Sequence, residues 1–323
     1  MLYDALIIGG SYAGLSGAVQ IARSGRPICV LDGGQPRNRF ATHSHGFFGQ
    51  DGQTPRAMIA QARADLAAYP NVTFIATPAT QARREGDHFS ITLASGDTLH
   101  AQKLLLAYGV IDLLPETPGV AERWGQTVLH CPYCHGYEVR GKRLGVLSAL
   151  PHSTHQALLI SDWGRVTFFL NGQPLPDATM LAKFAERGIE VEPETVVGLE
   201  GEAPGLDGVR LADGRFFPLD ALFVASRIRP ASDLAEQLGC ASEEGPQGQL
   251  LHTDATKQTS VPGVYAAGDL TARGGNASLA AADGVWAGVS LHQSLIFGPL
   301  SKLEQVIPAP VQAAAPSSVP LRT

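Results

Sequence analysis

The chain is poor in cysteine, in aromatic residues and in charge. Among its 323 residues only four are cysteines: Cys29, Cys131, Cys134 and Cys240. Only one pair of these is close in sequence, which excludes a disulfide scaffold of the small secreted kind. Aromatic residues make up 7% and charged residues 17%, with a net charge of -6. No block of Lys and Arg interrupts this balance, which argues against a nucleic-acid surface. No uncharged apolar run reaches the ~18 residues of a membrane-spanning helix. The first apolar run, Ala5–Ile8, has no basic segment ahead of it and leads straight into a glycine-rich turn. No secretion signal is therefore expected, and the cytoplasm is the expected compartment. At this length about two domains are expected.

Glycine, by contrast, is abundant at 36 residues. Tyr3–Ile8 reads as a buried strand, Gly9-Gly10-Ser11-Tyr12-Ala13-Gly14 as a turn, and Leu15–Arg23 as a helix with Gly25 at its end. Pro27–Leu31 reads as a second strand closed by Asp32. Such a unit binds a dinucleotide through a tight bend, bare backbone beside the pyrophosphate and close helix–strand packing. Gly9 and Gly14 fill the first and third glycine positions; Ser11 holds the second, where its hydroxyl can donate to a phosphate oxygen. The Asp32 carboxylate suits ribose hydroxyls and disfavours a 2′-phosphate, so FAD or NAD fits better than NADP.

Pro55–Tyr69 reads as a helix, and Val72–Ala76, Phe89–Leu93 and Lys103–Ala107 as strands. Glu116–Pro118 marks an expected domain crossing. A second strand–helix–strand region follows, at Arg143–Leu147, His155–Ser161 and Val166–Leu170, then a helix Ala178–Glu186 and a strand Ala221–Val224. Ser260–Ala267 enters another glycine-rich turn before a long helix, Ala277–Gln293. The Pro/Ala/Ser-rich end reads as disordered.

Cys131-Pro132-Tyr133-Cys134 lets two sulfurs reach bonding distance across one turn and favours a thiolate. A redox dithiol is the leading reading. Cys131-x-x-Cys134-His135 also matches c-type haem attachment, which needs export. With His130 and His135 alongside, a zinc site is a third reading, although structural zinc sites draw ligands from two separated knuckles. A purely structural pair is the fourth. Cys29 and Cys240 read as inert, and no metal site is assigned. His43 and His45 lie in a loop that either approaches a cofactor or is only structural.

With these motifs in order, the chain resembles the low-molecular-weight thioredoxin-reductase-type flavoproteins over roughly residues 3–300. The likeness rests on the Gly9–Gly14 turn, the Cys131–Cys134 pair and Gly268-Asp269, with Ala107-Tyr108-Gly109 in the place of an Ala-Thr-Gly turn. The resemblance implies an α/β fold of two Rossmann-like (three-layer ββα) dinucleotide-binding domains, the second inserted into the first. Residues 1–112 and 250–308 would form the FAD domain, 113–249 the inserted domain, and 309–323 a disordered tail. It implies a homodimer. Gly10, Ala13, Gly109, Gly268, Asp269, Asn276, Ala277 and Ser278 would join the cofactor site, with Asp269 on the ribityl chain. Cys134 would lie against the flavin and Cys131 would exchange with substrate.

Two departures shape the expectation. The family's reductases carry an Asp directly after the pair; His135 stands here, as in the family's dithiol oxidases, and can act as a base. The nucleotide turn of the inserted domain should follow Leu147, yet Ser148-Ala149-Leu150-Pro151-His152-Ser153-Thr154 contains no glycine, and the next strand runs into Phe169-Leu170-Asn171-Gly172 without an arginine fork. Weak or absent NADPH binding is expected, unless Arg165 rebuilds the site. The expected activity is FAD-dependent oxidation of a small-molecule or thioredoxin-like dithiol, with oxygen or another acceptor. The alternatives are a thioredoxin reductase fed by NADPH or by a ferredoxin-like donor, and a non-catalytic flavin-binding regulator.

Overall fold

The computed structural model describes residues 2–272 and 275–298. The expected tail, 309–323, and the end of the expected 250–308 segment lie outside the described residues. The chain opens with β1 (Leu2–Ile8), α1 (Tyr12–Ala22) and β2 (Ile28–Leu31). Then come α2 (Pro55–Ala67), β3 (Val72–Ile75), β4 (Ala79–Glu85), β5 (His88–Leu93), β6 (Thr98–Leu106) and β7 (Val110–Leu113). β4 escapes sequence reading because it is an edge strand with mostly polar residues, paired on one side only. α2 starts at Pro55 because the Thr54 side chain accepts from the Ala57 N–H and proline suits the first helical position.

The first sheet runs β3-β2-β1-β6-β5-β4. β1 pairs in parallel with β2 and β6, while β5 runs antiparallel to β6. Alternation along β1 sends Leu6 and Ile8 into one apolar cluster and Ala5 and Ile7 into another. Both faces are thus buried, which is why the strand reads as an unbroken apolar run.

The middle of the chain builds a second sheet from β8 (Val128–Leu129), β9 (Arg143–Leu147), β10 (Arg165–Phe169), β11 (Glu190–Glu192) and, after the meander β12 (Val196–Glu200), β13 (Gly208–Leu211) and β14 (Phe216–Pro218), β15 (Ala221–Val224). Its order is β11-β10-β9-β15-β8, all parallel, with α3 (Pro132–His135), α4 (Ser153–Ile160) and α5 (Ala178–Glu186) between the strands. The chain returns through β16 (Arg227–Pro230), which pairs antiparallel with β7, so the outgoing and returning crossings lie side by side.

From that point the residues pack back on the first domain. Ile228, Leu234, Ala235, Leu250 and Leu251 share an apolar cluster with Leu6, Phe89 and Leu104. The segment with β16, α6 (Leu234–Gln237), β17 (Ser242–Gly245) and β18 (Gly248–Leu251) therefore belongs to the first domain. The return falls near Ser226, earlier than the expected 249, because the apolar side chains of this stretch face the first core and none faces the second.

β19 (Val264–Ala266) pairs in parallel with the end of β6, and α7 (Ala277–Phe297) follows it. α7 lies against α1 with almost no side chain between them. A Cβ on Gly284 would run into the Ala13 carbonyl, and one on Gly288 into Gly17. The two glycine-rich segments, far apart in sequence, are joined by this backbone contact.

Candidate active site

β1, β6 and β19 are neighbouring parallel strands, so the turns that follow them emerge at one carboxyl edge of the sheet, beside the reversal of strand order at β1. That edge is where open α/β sheets bind ligands. Gly9, Gly10, Ser11, Ala13, Asp32, Gly109, Gly268, Asp269, Asn276 and Ala277 line one cleft there, together with Cys131, Cys134 and His135. Gly14 lies beneath the turn, where a Cβ would strike the Gly9 carbonyl. Ser278 is not part of the lining; its hydroxyl donates to the Gly46 carbonyl at 3.1 Å and ties the 43–49 loop to α7. Asn276 caps α7 by accepting from the Leu279 N–H at 2.9 Å.

The cleft fits the cofactor its sequence motifs call for. Ser11 caps α1 without a side-chain hydrogen bond, which leaves its hydroxyl and the helix N-terminus free for an anion. Asp32 lines the cleft, accepting at one oxygen from the Gly34 N–H at 3.0 Å and at the other from Arg63 at 3.1 Å. Among the described residues, two that line the cleft carry buried polar atoms with no protein partner: Asn38 Oδ1 and His130 Nδ1. Buried polar groups are normally paired, so such atoms mark where a polar ligand belongs.

Arg37 organises the centre of the cleft. It forks onto Asp112 and reaches Asp269 with the third arm, while Ser226 donates to Asp112 at 2.6 Å. Burial alone would raise the Asp112 carboxyl, but the Arg37 and Ser226 hydrogen bonds outweigh it and hold the group below its usual value. Burial, followed by the nearby Arg37 charge, pushes the His130 imidazole down to about 4. Asp283 fixes the Gly268-Asp269 turn: it accepts from the Gly268 N–H at 2.9 Å and the Thr271 hydroxyl at 3.0 Å, and pairs with Lys257. None of Arg37, Asp112, His130 or Asp283 was singled out from the sequence for this site. Arg37 opens a short 3-10 turn, Arg37–Phe40, with no apolar pattern, and gains its role from partners some 75 and 232 positions away.

Cys131 and Cys134 form a disulfide at the start of α3, with Cα atoms 5.3 Å apart. Cys131 is the N-cap, and its Sγ accepts from the Cys134 N–H at 3.1 Å. That contact favours negative charge on Cys131 when the bond opens. α3 is seated on Trp163, whose ring meets Tyr133 edge-on at 6.1 Å. Burial depresses the His135 imidazole; Glu138 pulls it back up and His45 adds to the depression. His43 and His45 also line the cleft and, with His135 and Glu138, a smaller adjoining cavity of about 100 Å³. His45 Nε2 stands 3.4 Å from Glu138. Cys29 is fully buried, and burial pushes its thiol up to about 12; burial also raises Cys240. Neither lines the cleft.

The equivalent turn of the inserted domain is built differently. The Ser153 hydroxyl accepts from the Ala149 and Leu150 N–H groups, both at 3.2 Å, and is fully buried. The N–H groups that would cradle a phosphate are thereby used within the protein. Arg165 stands at the opening end of β10, away from the carboxyl edge, 91% exposed and 3.7 Å from Glu190. Arg215, Arg210 and Arg143 are each engaged by carboxylates.

Comparison with known proteins agrees with this geometry. Residues 3–284 match the family described as Pyridine nucleotide-disulphide oxidoreductase. The chain is 33% identical to "Thioredoxin reductase tcpT" of Claviceps purpurea over 83% of this chain and 86% of that one. The crystal structure of an oxidoreductase from Agrobacterium tumefaciens superimposes with a TM-score of 0.88 at 45% identity, covering 92% of this chain and 99% of the other. The crystal structure of HlmI gives a TM-score of 0.86 at 35% identity, covering 94% and 96%.

Proposed function

The chain belongs to the pyridine nucleotide-disulphide oxidoreductase family, whose thioredoxin-reductase-like members are FAD flavoproteins acting on sulfur groups, and within it we propose a dithiol oxidase that works through Cys131–Cys134 without NADPH. One observation carries the reading: the disulfide, His135 and the glycine-rich turns of both chain ends line a single cleft. The internally satisfied turn at Ser153 supports the independence from NADPH.

Ser11 and the start of α1 would hold the pyrophosphate of FAD, Asp32 a ribose, and Asp269, steadied by Arg37, the chain beyond it. Bound FAD supplies the two-electron acceptor that reoxidises the cysteine pair, with oxygen the proposed terminal acceptor. The chain's own residues handle the sulfur exchange. His135, kept neutral by burial, takes a proton from one thiol of the substrate. The resulting thiolate attacks Cys131 Sγ, forming a mixed disulfide and releasing Cys134 as thiolate. The second substrate thiol passes its proton to the Cys134 thiolate, attacks the substrate sulfur joined to Cys131 and displaces Cys131 as thiolate. The substrate leaves as a disulfide, and its two protons and two electrons remain with the enzyme. The substrate is proposed to be a small dithiol, with a thioredoxin-like protein as the alternative. A homodimer in the cytoplasm completes the reading; exposed Leu279, Trp286, Ile296 and Phe297 on α7 offer apolar surface for the subunit contact.

The second reading, a thioredoxin reductase driven by NADPH or by a ferredoxin-like protein, is favoured by the names of the fungal relatives. Anaerobic flavin spectroscopy separates the NADPH-driven form, and reduction of the flavin by a ferredoxin-like donor identifies the other. A dithiol such as dithiothreitol should bleach the bound flavin, NADPH should not, and Cys134→Ser should abolish the dithiol response while retaining the flavin. Fast bleaching by NADPH would make the reductase the better reading.

A further inference from the structure

We infer that Glu85, His88 and His100 form a site for one divalent transition-metal ion, Zn²⁺ by chemistry, on the first sheet and at the end remote from the cleft. Glu85 and His88 are cross-strand partners at the tip of the β4–β5 hairpin, and His100 on β6 faces Ser90, two residues from His88. Alternation along the strands therefore places all three side chains on one face.

The donor atoms converge. Glu85 Oε2 lies 3.5 Å from His88 Nε2 and 3.8 Å from His100 Nδ1, and one donor atom of each residue lies within 4.8 Å of the others. Tetrahedral zinc with bonds of 2.0–2.1 Å separates its ligand atoms by about 3.3 Å, so small rotations of the side chains close the set. As direct hydrogen bonds the same separations are too long. His100 Nδ1 is a buried atom with no hydrogen-bond partner, although it points to the cluster. Arg83 holds the other Glu85 oxygen at 3.1 Å, which turns Oε2 toward the two imidazoles. The three side chains are each 38% exposed, which leaves a fourth position for water.

Two imidazoles and one carboxylate suit zinc, cobalt or nickel; calcium and magnesium prefer oxygen ligands throughout. The site would pin the edge hairpin to β6, and binding to the folded state alone would raise stability. His100 pairs with Leu2 at the opening of β1, about 20 Å along the strand from the Gly9 turn, so the sulfur chemistry does not depend on it.

The test is titration of chelator-treated, fully oxidised flavoprotein with ZnCl₂ at neutral pH. With the disulfide closed, the Cys131 and Cys134 thiolates cannot compete. Calorimetry should give one ion per chain and a Zn²⁺-dependent rise in Tm, and Co²⁺ should give the visible bands of a tetrahedral site. His88→Ala and His100→Ala should each weaken binding by about tenfold or more and cancel the rise in Tm, with His45→Ala unaffected. Melting curves without metal establish that the variants fold, and Glu85→Gln serves where an alanine variant does not. No binding by the unaltered protein, or equal binding by the histidine variants, overturns the proposal.

Discussion

Arg37 grips Asp112 with two hydrogen bonds, 2.8 and 2.6 Å long, and holds Asp269 with a third at 2.9 Å. One guanidinium thus joins the first strand of the domain crossing to the second cofactor turn. Arg37→Met leaves Asp112, whose side chain is 8% exposed, without its cation. The expected loss is on the order of 3 kcal/mol, read as a lower urea midpoint, with flavin released on gel filtration. Arg37→Lys should recover only part, since an ammonium cannot make the fork. Because the Asp112 carboxyl is depressed, its contribution is present above the ordinary carboxylate range and is lost as pH falls below it.

The sign is the same for His130, in a different pH window. Its folded-state value of about 4 lies below the ordinary 6.5, so the unfolded chain binds the extra proton more readily. Stability should fall as pH drops from about 6.5 to about 4, by up to about 3 kcal/mol from this group. Denaturation midpoints at several pH values across this window measure the slope. His130→Asn should flatten it, and an unchanged slope would remove His130 as its source.

His135 is assigned the proton transfer. His135→Asn should lower dithiol-driven flavin reduction by about 100-fold or more with flavin content unchanged. In the unaltered enzyme the rate should hold through neutral pH and decline on the acid side, since burial keeps the imidazole unprotonated to lower pH than usual. A variant with the same pH profile as the unaltered enzyme would reduce His135 to a shield for the cysteines.

The contact of α1 with α7 admits no added methyl group. Gly284→Ala drives a Cβ into the Ala13 carbonyl. A cost of about 1–3 kcal/mol is expected, lowering Tm by several degrees and loosening flavin, since α1 carries the Ser11 cap.

Much of this protein is local in its chemistry, and such features could be read directly. A glycine turn between a strand and a helix, an acid closing the next strand and two cysteines one helical turn apart each state their requirement within a few residues. Their order along the chain identified the two-domain architecture. The missing glycine after β9 was equally plain, although the Ser153 hydroxyl that accepts from the turn's N–H groups needed coordinates. The domain return near Ser226 was misplaced in sequence because β16 to β18 resemble any short strands; only the core they pack on assigns them.

What tertiary structure alone decided is the set of long-range partners. Arg37 with Asp112 and Asp269, Asp283 under the Gly268 turn, and the convergence of Glu85, His88 and His100 depend on strands and loops meeting in space. Charged side chains at isolated positions carry no periodicity, and a single polar residue in a loop reads the same whether it faces water or a buried partner. The sequence by itself determined the chemistry on offer, through backbone-scale motifs; the fold decided which charges are desolvated and paired, because that depends on neighbours no local window contains.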